Sequence, residues 1–143
     1  LSPLLFNIYM SKLPTPPEGI DIISYADDCT VMMSGTNLEH MCSSISAYLT
    51  TLKSWFNKRC LQYSTPKSIA TLFTSWTQEL GEGKINIQID GDPIPFSSQV
   101  NILGVTFDPM LTFKAHAASV ANKVSSRNKV LKSLAGRDWG NNK

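Results

Sequence analysis

Ile20-Asp21-Ile22-Ile23-Ser24-Tyr25-Ala26-Asp27-Asp28-Cys29-Thr30-Val31-Met32-Met33 places two adjacent acids between two apolar runs. The runs Ile20–Ser24 and Cys29–Met33 read as short β-strands, and the tetrapeptide Tyr25–Asp28 between them predicts a hairpin that lifts both carboxylates to its tip. Neighbouring carboxylates repel, so each raises the other's proton affinity unless a cation intervenes. Magnesium, or manganese in its place, suits such a pair because it prefers carboxylate oxygens and keeps positions for water and phosphate. Asp is also a common turn residue, so a solvated loop tip is the plain alternative.

Outward from the hairpin, the segment up to Leu13 reads as a helix with Ser2 as cap, Pro3 in its first turn and Leu5, Ile8, Tyr9 and Leu13 on a buried face. Pro14-Thr15-Pro16-Pro17-Glu18-Gly19 ends it, since proline cannot continue the hydrogen-bond ladder. After the hairpin, Thr36 and Glu39 stand at capping-box spacing. From there Leu38, Met41, Cys42, Ile45, Tyr48, Leu49, Leu52, Trp55 and Phe56 recur every three or four residues. That stripe predicts a long helix laid across the hairpin strands, with Trp55 in the core.

Leu61–Tyr63 and Ile69–Thr74 read as strands around a turn holding Thr65-Pro66-Lys67. Ile85–Ile89 alternates as a strand and meets the turn Asp90-Gly91-Asp92-Pro93. Val100–Phe107 reads as a strand broken by Gly104. Phe113–Leu134 reads as a helix with His116, Ala117, Val120, Val124, Leu131 and Leu134 on one side and Lys123, Arg127, Lys129 and Lys132 on the other. The order of elements predicts an α+β fold with helices on one face of an antiparallel sheet.

Composition bounds the function. The chain has 143 residues, 42% of them hydrophobic and 17% charged, which suits one globular domain and not a disordered tract. Its formal net charge of +2 conceals an asymmetry: six Lys/Arg against ten Asp/Glu up to Phe113, then seven against one from Lys114 onward. The three cysteines Cys29, Cys42 and Cys60 lack metal-binding spacing, and as an odd number they read as reduced and mostly structural. His116 has no partner at ligand spacing and reads as a packed or hydrogen-bonded side chain. No run reaches membrane-span length, so no membrane partner is expected. The start Leu1-Ser2-Pro3 makes the chain read as a truncated piece of a longer protein.

Four motifs in register resemble the reverse transcriptase of non-LTR retrotransposons, particularly the jockey-like lineage of insect elements. Leu1-Ser2-Pro3-Leu4-Leu5-Phe6-Asn7-Ile8-Tyr9 is similar to the end of the motif that follows a Gln-Gly dipeptide. Tyr25-Ala26-Asp27-Asp28 is similar to the polymerase active-site hairpin. Lys67 stands where the family has a lysine after its long palm helix, although Ser64-Thr65-Pro66-Lys67 differs from the usual Ser-Pro-x-Lys. Ile102-Leu103-Gly104-Val105 with Phe107-Asp108 resembles the primer-grip hairpin, and the basic helix resembles the start of the thumb.

The resemblance implies a partial palm over 1–112 and a thumb segment over 113–143. It implies that Asp27 and Asp28 hold magnesium or manganese, the remaining acid coming from an upstream strand. Lys67 would serve the departing pyrophosphate, and Tyr25 and Ala26 would lie beside the primer terminus. Leu103 and Gly104 would hold the primer backbone, and Lys123, Arg127, Lys129 and Lys132 would meet phosphates of template RNA or DNA primer. Deoxynucleoside triphosphates are the implied substrates, and priming from nicked chromosomal DNA implies the nucleus. With part of a metal site, the chain alone is expected to be inactive. A group II intron enzyme shares Tyr-Ala-Asp-Asp, but the spacing from hairpin to primer grip favours the jockey-like lineage. A decayed or co-opted copy acting only as a nucleic-acid-binding or interaction module is the second reading, and oligomeric state is not legible.

Overall fold

The computed structural model describes residues 2–62, 64–75 and 85–134. The chain divides into two compact units, Leu1–Ala70 with Gln78–Ser97 and Thr71–Thr77 with Ser98–Lys143. The described elements are α1 (Ser2–Met10), β1 (Ile20–Tyr25), β2 (Asp28–Met33) and α2 (Leu38–Asn57), then a 3-10 turn at Thr65–Lys67. They continue with β3 (Gln88–Ile89), β4 (Asp92–Pro93), β5 (Val100–Ile102), β6 (Val105–Phe107) and α3 (Lys114–Leu134). The class is α+β as expected. The single sheet is not found: the described strands form three two-stranded ribbons, β1–β2, β3–β4 and β5–β6.

In the first unit, α2 is the organising element. Its apolar period brings Tyr48, Leu49 and Leu52 together with Ile20 of β1 and Ile89 of β3, and Ile89 is fully buried. Ile22, Val31 and Met33 pack against this cluster, so the hairpin lies on α2 as the stripe predicts. Ser46 ties the helix to β3. Its hydroxyl donates to Cys42 O at 2.7 Å and accepts the backbone N–H of Gln88 at 3.0 Å. The cap differs from expectation: Asn37, and not Thr36, stands at the N-cap, where its Oδ1 accepts the His40 N–H at 3.0 Å. Trp55 is half-buried, stacked under Arg59 and edge-on to Phe56 at 5.2 Å, and is not deep core.

Other expectations need correction. α1 ends at Met10, and Leu5 and Ile8 are more than half exposed, because only its C-terminal end turns inward through Met10 and Leu13. Leu61–Gln62 is not a strand: the Leu61 N–H caps α2 by donating to Phe56 O at 3.0 Å, with Cys60 at φ 56 in the left-handed position; Tyr63 lies outside the described residues. Ile69–Thr74 shrinks to one parallel bridge, Ala70 with Phe96. The Ala70 N–H donates to Pro95 O and the Ser97 N–H to Ala70 O, and Pro95, lacking an N–H, cannot carry the ladder back towards Ser68. The Ile85–Ile89 strand is limited to Gln88–Ile89, with one further bond from the Ile94 N–H to Ile87 O, and is joined to β4 by an Asp90-Gly91 turn with both φ positive. Cys29 and Cys60 are exposed, so only Cys42 is a buried structural thiol; all three are free. Trp76 and Trp139 lie outside the described residues.

In the second unit, Val100–Phe107 is a hairpin and not one strand broken at Gly104, which agrees with the hairpin that the resemblance implies around Leu103-Gly104. Leu103 at φ 49 and Gly104 at φ 86 form its turn, and Asn101 Oδ1 accepts the Gly104 N–H at 2.9 Å. A leucine in the left-handed region costs roughly 1–2 kcal/mol, and the Asn101 bond to the Gly104 N–H helps hold the turn in that conformation. Phe107 sits edge-on between Phe73 and Phe113, at 6.2 and 5.5 Å. The start of α3 packs on β6, where His116 Nδ1 accepts the Thr106 N–H at 3.3 Å, as expected for a hydrogen-bonded histidine. Among the described residues no helix is long and apolar enough to cross a membrane.

Candidate active site

The register of the hairpin positions the acids. Ile20 pairs with Met33, Ile22 with Val31 and Ser24 with Cys29, so these pairs share the face that α2 covers. Cross-strand partners lie on one side of a ribbon and alternate along it. Asp21, Ile23, Tyr25, Asp28, Thr30 and Met32 therefore form the opposite face. Burial pushes the Tyr48 hydroxyl above its ordinary range, with a smaller contribution from Cys29.

The strands reach further than the sequence suggests. Tyr25 and Asp28 are themselves a ladder pair, leaving Ala26 and Asp27 as a two-residue turn in which only Ala26, at φ 51, is left-handed. Tyr25, Ala26, Asp27 and Asp28 are all exposed, and Tyr25 is 65% exposed. Asp27 thus caps the tip while Asp28 stands beside Tyr25 on the outer face. Lys53–Asp90 is the ion pair recorded among the described residues, so no cationic side chain neutralises either tip acid. Two hard oxygen donors fit magnesium or manganese. No group of three or more metal-ligating side chains occurs among the described residues.

The other candidates stand elsewhere. Lys67 ends the 3-10 turn after α2, where its N–H donates to Ser64 O at 3.1 Å; its side chain is exposed and makes no ion pair among the described residues. Leu103 and Gly104 form the second unit's hairpin turn. The basic residues of α3 do not share one face. Arg127 is three residues from Val124 and four from Leu131, so it lies in the apolar stripe, and Lys123 lies at the stripe's edge; Lys129 and Lys132 project from the opposite side. Four basic residues spaced at 123, 127, 129 and 132 cannot line up on a helix of 3.6 residues per turn.

Asp108 was not singled out by residue chemistry, yet it builds the entry to α3. Its Oδ1 accepts the Thr112 N–H at 3.0 Å, and its Oδ2 accepts the Phe113 N–H at 2.7 Å and the Thr112 hydroxyl at 3.1 Å. The Thr112 N–H above all, with further bonds from Phe113 and Met110, holds this carboxyl below its ordinary range against the opposing effect of desolvation. An Asp a few residues ahead of a helical pattern was the available signal.

The candidate site is thus a pair of exposed carboxylates at the tip of a two-stranded ribbon backed by a helix, in an α+β chain. The family described as reverse transcriptase (RNA-dependent DNA polymerase) matches residues 1–107, and the chain belongs to it. It is similar to "Probable RNA-directed DNA polymerase from transposon BS" of Drosophila melanogaster, 29% identical over 144 residues that cover 96% of this chain and 16% of that protein. It is also similar to "RNA-directed DNA polymerase from mobile element jockey" of Drosophila funebris, at 25% identity over 134 residues, 89% of this chain and 14% of that protein. The jockey protein of Drosophila melanogaster is 24% identical over 127 residues, 84% of this chain and 13% of its own length. The chain therefore spans about a sixth or less of these relatives. No solved structure matches it.

Proposed function

We propose that these residues form part of an RNA-directed DNA polymerase of a non-LTR retrotransposon, copying template RNA onto a DNA primer from deoxynucleoside triphosphates in the nucleus. The observation that carries the reading is the exposed Asp27–Asp28 tip without a cationic neighbour among the described residues. In this reading 1–112 is palm and 113–143 begins the thumb.

Asp27 and Asp28 would hold magnesium or manganese, which when bound stabilises charge on the attacking and leaving oxygens of phosphoryl transfer. Tyr25, on the same face as Asp28, offers a flat exposed surface to the primer terminus, and the small Ala26 leaves that approach open. Lys67, exposed and unpaired, is free to neutralise or protonate a departing pyrophosphate. The Leu103-Gly104 turn brings bare backbone to its apex, which suits contact with a primer backbone. Lys123 and Arg127 on one side of α3, and Lys129 and Lys132 on the other, supply sequence-independent attraction to phosphates.

Residues 1–143 alone carry two of the carboxylates and are expected to be inactive. Manganese should broaden the amide resonances at Tyr25–Asp28 selectively, and Asp27→Asn should abolish that broadening. A tip untouched by manganese would refute the metal reading. In the polymerase that contains this segment, Asp27→Asn should reduce primer extension to background. Extension by the isolated chain that disappears with Asp27→Asn would overturn the expected inactivity.

A further inference from the structure

A cleft of about 440 Å³ runs beside the C-terminal half of α2, lined by Pro14, Thr50, Thr51, Ser54, Trp55 and Lys58. One tyrosine fixes a wall: the Tyr48 hydroxyl donates to Pro14 O at 2.7 Å, tying the connection after α1 to α2. Beside the cleft, the Tyr9 hydroxyl of α1 donates to Arg59 O at 2.6 Å, just past the end of α2. The Arg59 guanidinium lies 4.0 Å from the centroid of the Trp55 ring. No acidic side chain lines the cleft, and neither Lys58 nor Arg59 is ion-paired among the described residues.

A helix C-terminus attracts cations by its dipole alone, which would account for Lys58 and Arg59 but not for a cleft held open beside them. An indole backed by a guanidinium, with a lysine and hydroxyls around it, is the combination that grips single-stranded nucleic acid: bases stack on the aromatic and phosphates meet the cations. An acidic peptide would use the cations but offers no planar group for Trp55.

We propose that this cleft is a contact site for single-stranded nucleic acid, apart from the Asp27–Asp28 tip. One nucleotide would enter at a time, its base against Trp55 and its phosphate between Lys58 and Arg59, with the Ser54 hydroxyl as a further partner. The proposal stands on the cleft and takes from the polymerase reading only the choice of RNA as probe.

The test is fluorescence anisotropy of a labelled 12-nucleotide oligouridine titrated with the chain across a range of salt. Trp55→Leu should weaken binding by about 10-fold, within the range for loss of one stacked base. Lys58→Gln, at an exposed position that folding does not need, should weaken it and reduce the slope of log K against log salt by about 0.7. A polyglutamate of equal charge should compete poorly. Unchanged affinity and salt slope in Lys58→Gln, or equal competition by polyglutamate, would overturn the proposal. Binding lost only in Lys123→Gln/Arg127→Gln would place the contact on α3, overturning the cleft while leaving the polymerase reading intact.

Discussion

Replacing Ser46 by alanine isolates one hydroxyl that joins α2 to β3. In the wild type it accepts the Gln88 N–H at 3.0 Å while donating to Cys42 O at 2.7 Å. The second bond is a local helix back-bond whose loss matters little, because Cys42 O also serves the helix ladder. The first is not replaceable: a part-buried backbone N–H left without an acceptor costs about 1–3 kcal/mol. Alanine regains about 0.5 kcal/mol of helix propensity, so Ser46→Ala should lower stability by about 0.5–2.5 kcal/mol. The control is Ser43→Ala, in the same helix with the same kind of back-bond, to His40 O at 2.9 Å, and no strand donor recorded against it. It should be neutral or slightly stabilising. Urea unfolding followed by circular dichroism reads both, with an unchanged m-value as the check that only stability moved. If Ser46→Ala unfolds at the same urea concentration as Ser43→Ala, the hydroxyl does not join helix to strand and the reasoning fails.

Ile89→Ala removes the side chain that is 0% exposed at the centre of the first unit and should cost about 2–5 kcal/mol in the same urea assay; a loss below about 1 kcal/mol would mean that β3 does not seal the core. Asp108 gives a pH prediction with a definite sign. Its folded-state affinity for protons is depressed, so its stabilisation is fully present above the ordinary value of 3.8 and is lost as pH falls through the lower folded value. Protection factors at the Thr112 and Phe113 amides, corrected for intrinsic exchange, should therefore fall in that acid window in the wild type and lose this dependence in Asp108→Asn.

Much of the first unit was legible because its signals are periodic. The α2 stripe and the alternation of Ile20, Ile22, Val31 and Met33 each demand one buried face, and the Asp90-Gly91 turn carries its own left-handed residue type. What escaped depends on partners distant in sequence. The Ile69–Thr74 run has strand composition, but its pairing is decided by Phe96, a partner distant in sequence that meets it at Ala70 alone. The Leu103-Gly104 turn was legible only through the family resemblance, because it places a leucine where turn chemistry asks for Asn or Gly while Asn101 supplies the compensating bond. At the site, the acids and the hairpin were readable, whereas the exposure of α1 and the Tyr48 tie to Pro14 follow from tertiary contacts alone. In α3 the number of basic residues is legible but their spread is not, because positions 123, 127, 129 and 132 fall on different sides of a helix of 3.6 residues per turn.

The β1–β2 ribbon is paired only with itself among the described residues, so each of its strands presents an outer row of backbone N–H and C=O groups to water. Ile23, Tyr25 and Met32 lie exposed on one of its faces. A two-stranded ribbon with open edges and an apolar face is a template for strand addition. In concentrated solutions of the isolated chain, self-association should begin at this ribbon, so the element that carries the carboxylates also sets the polypeptide's solubility.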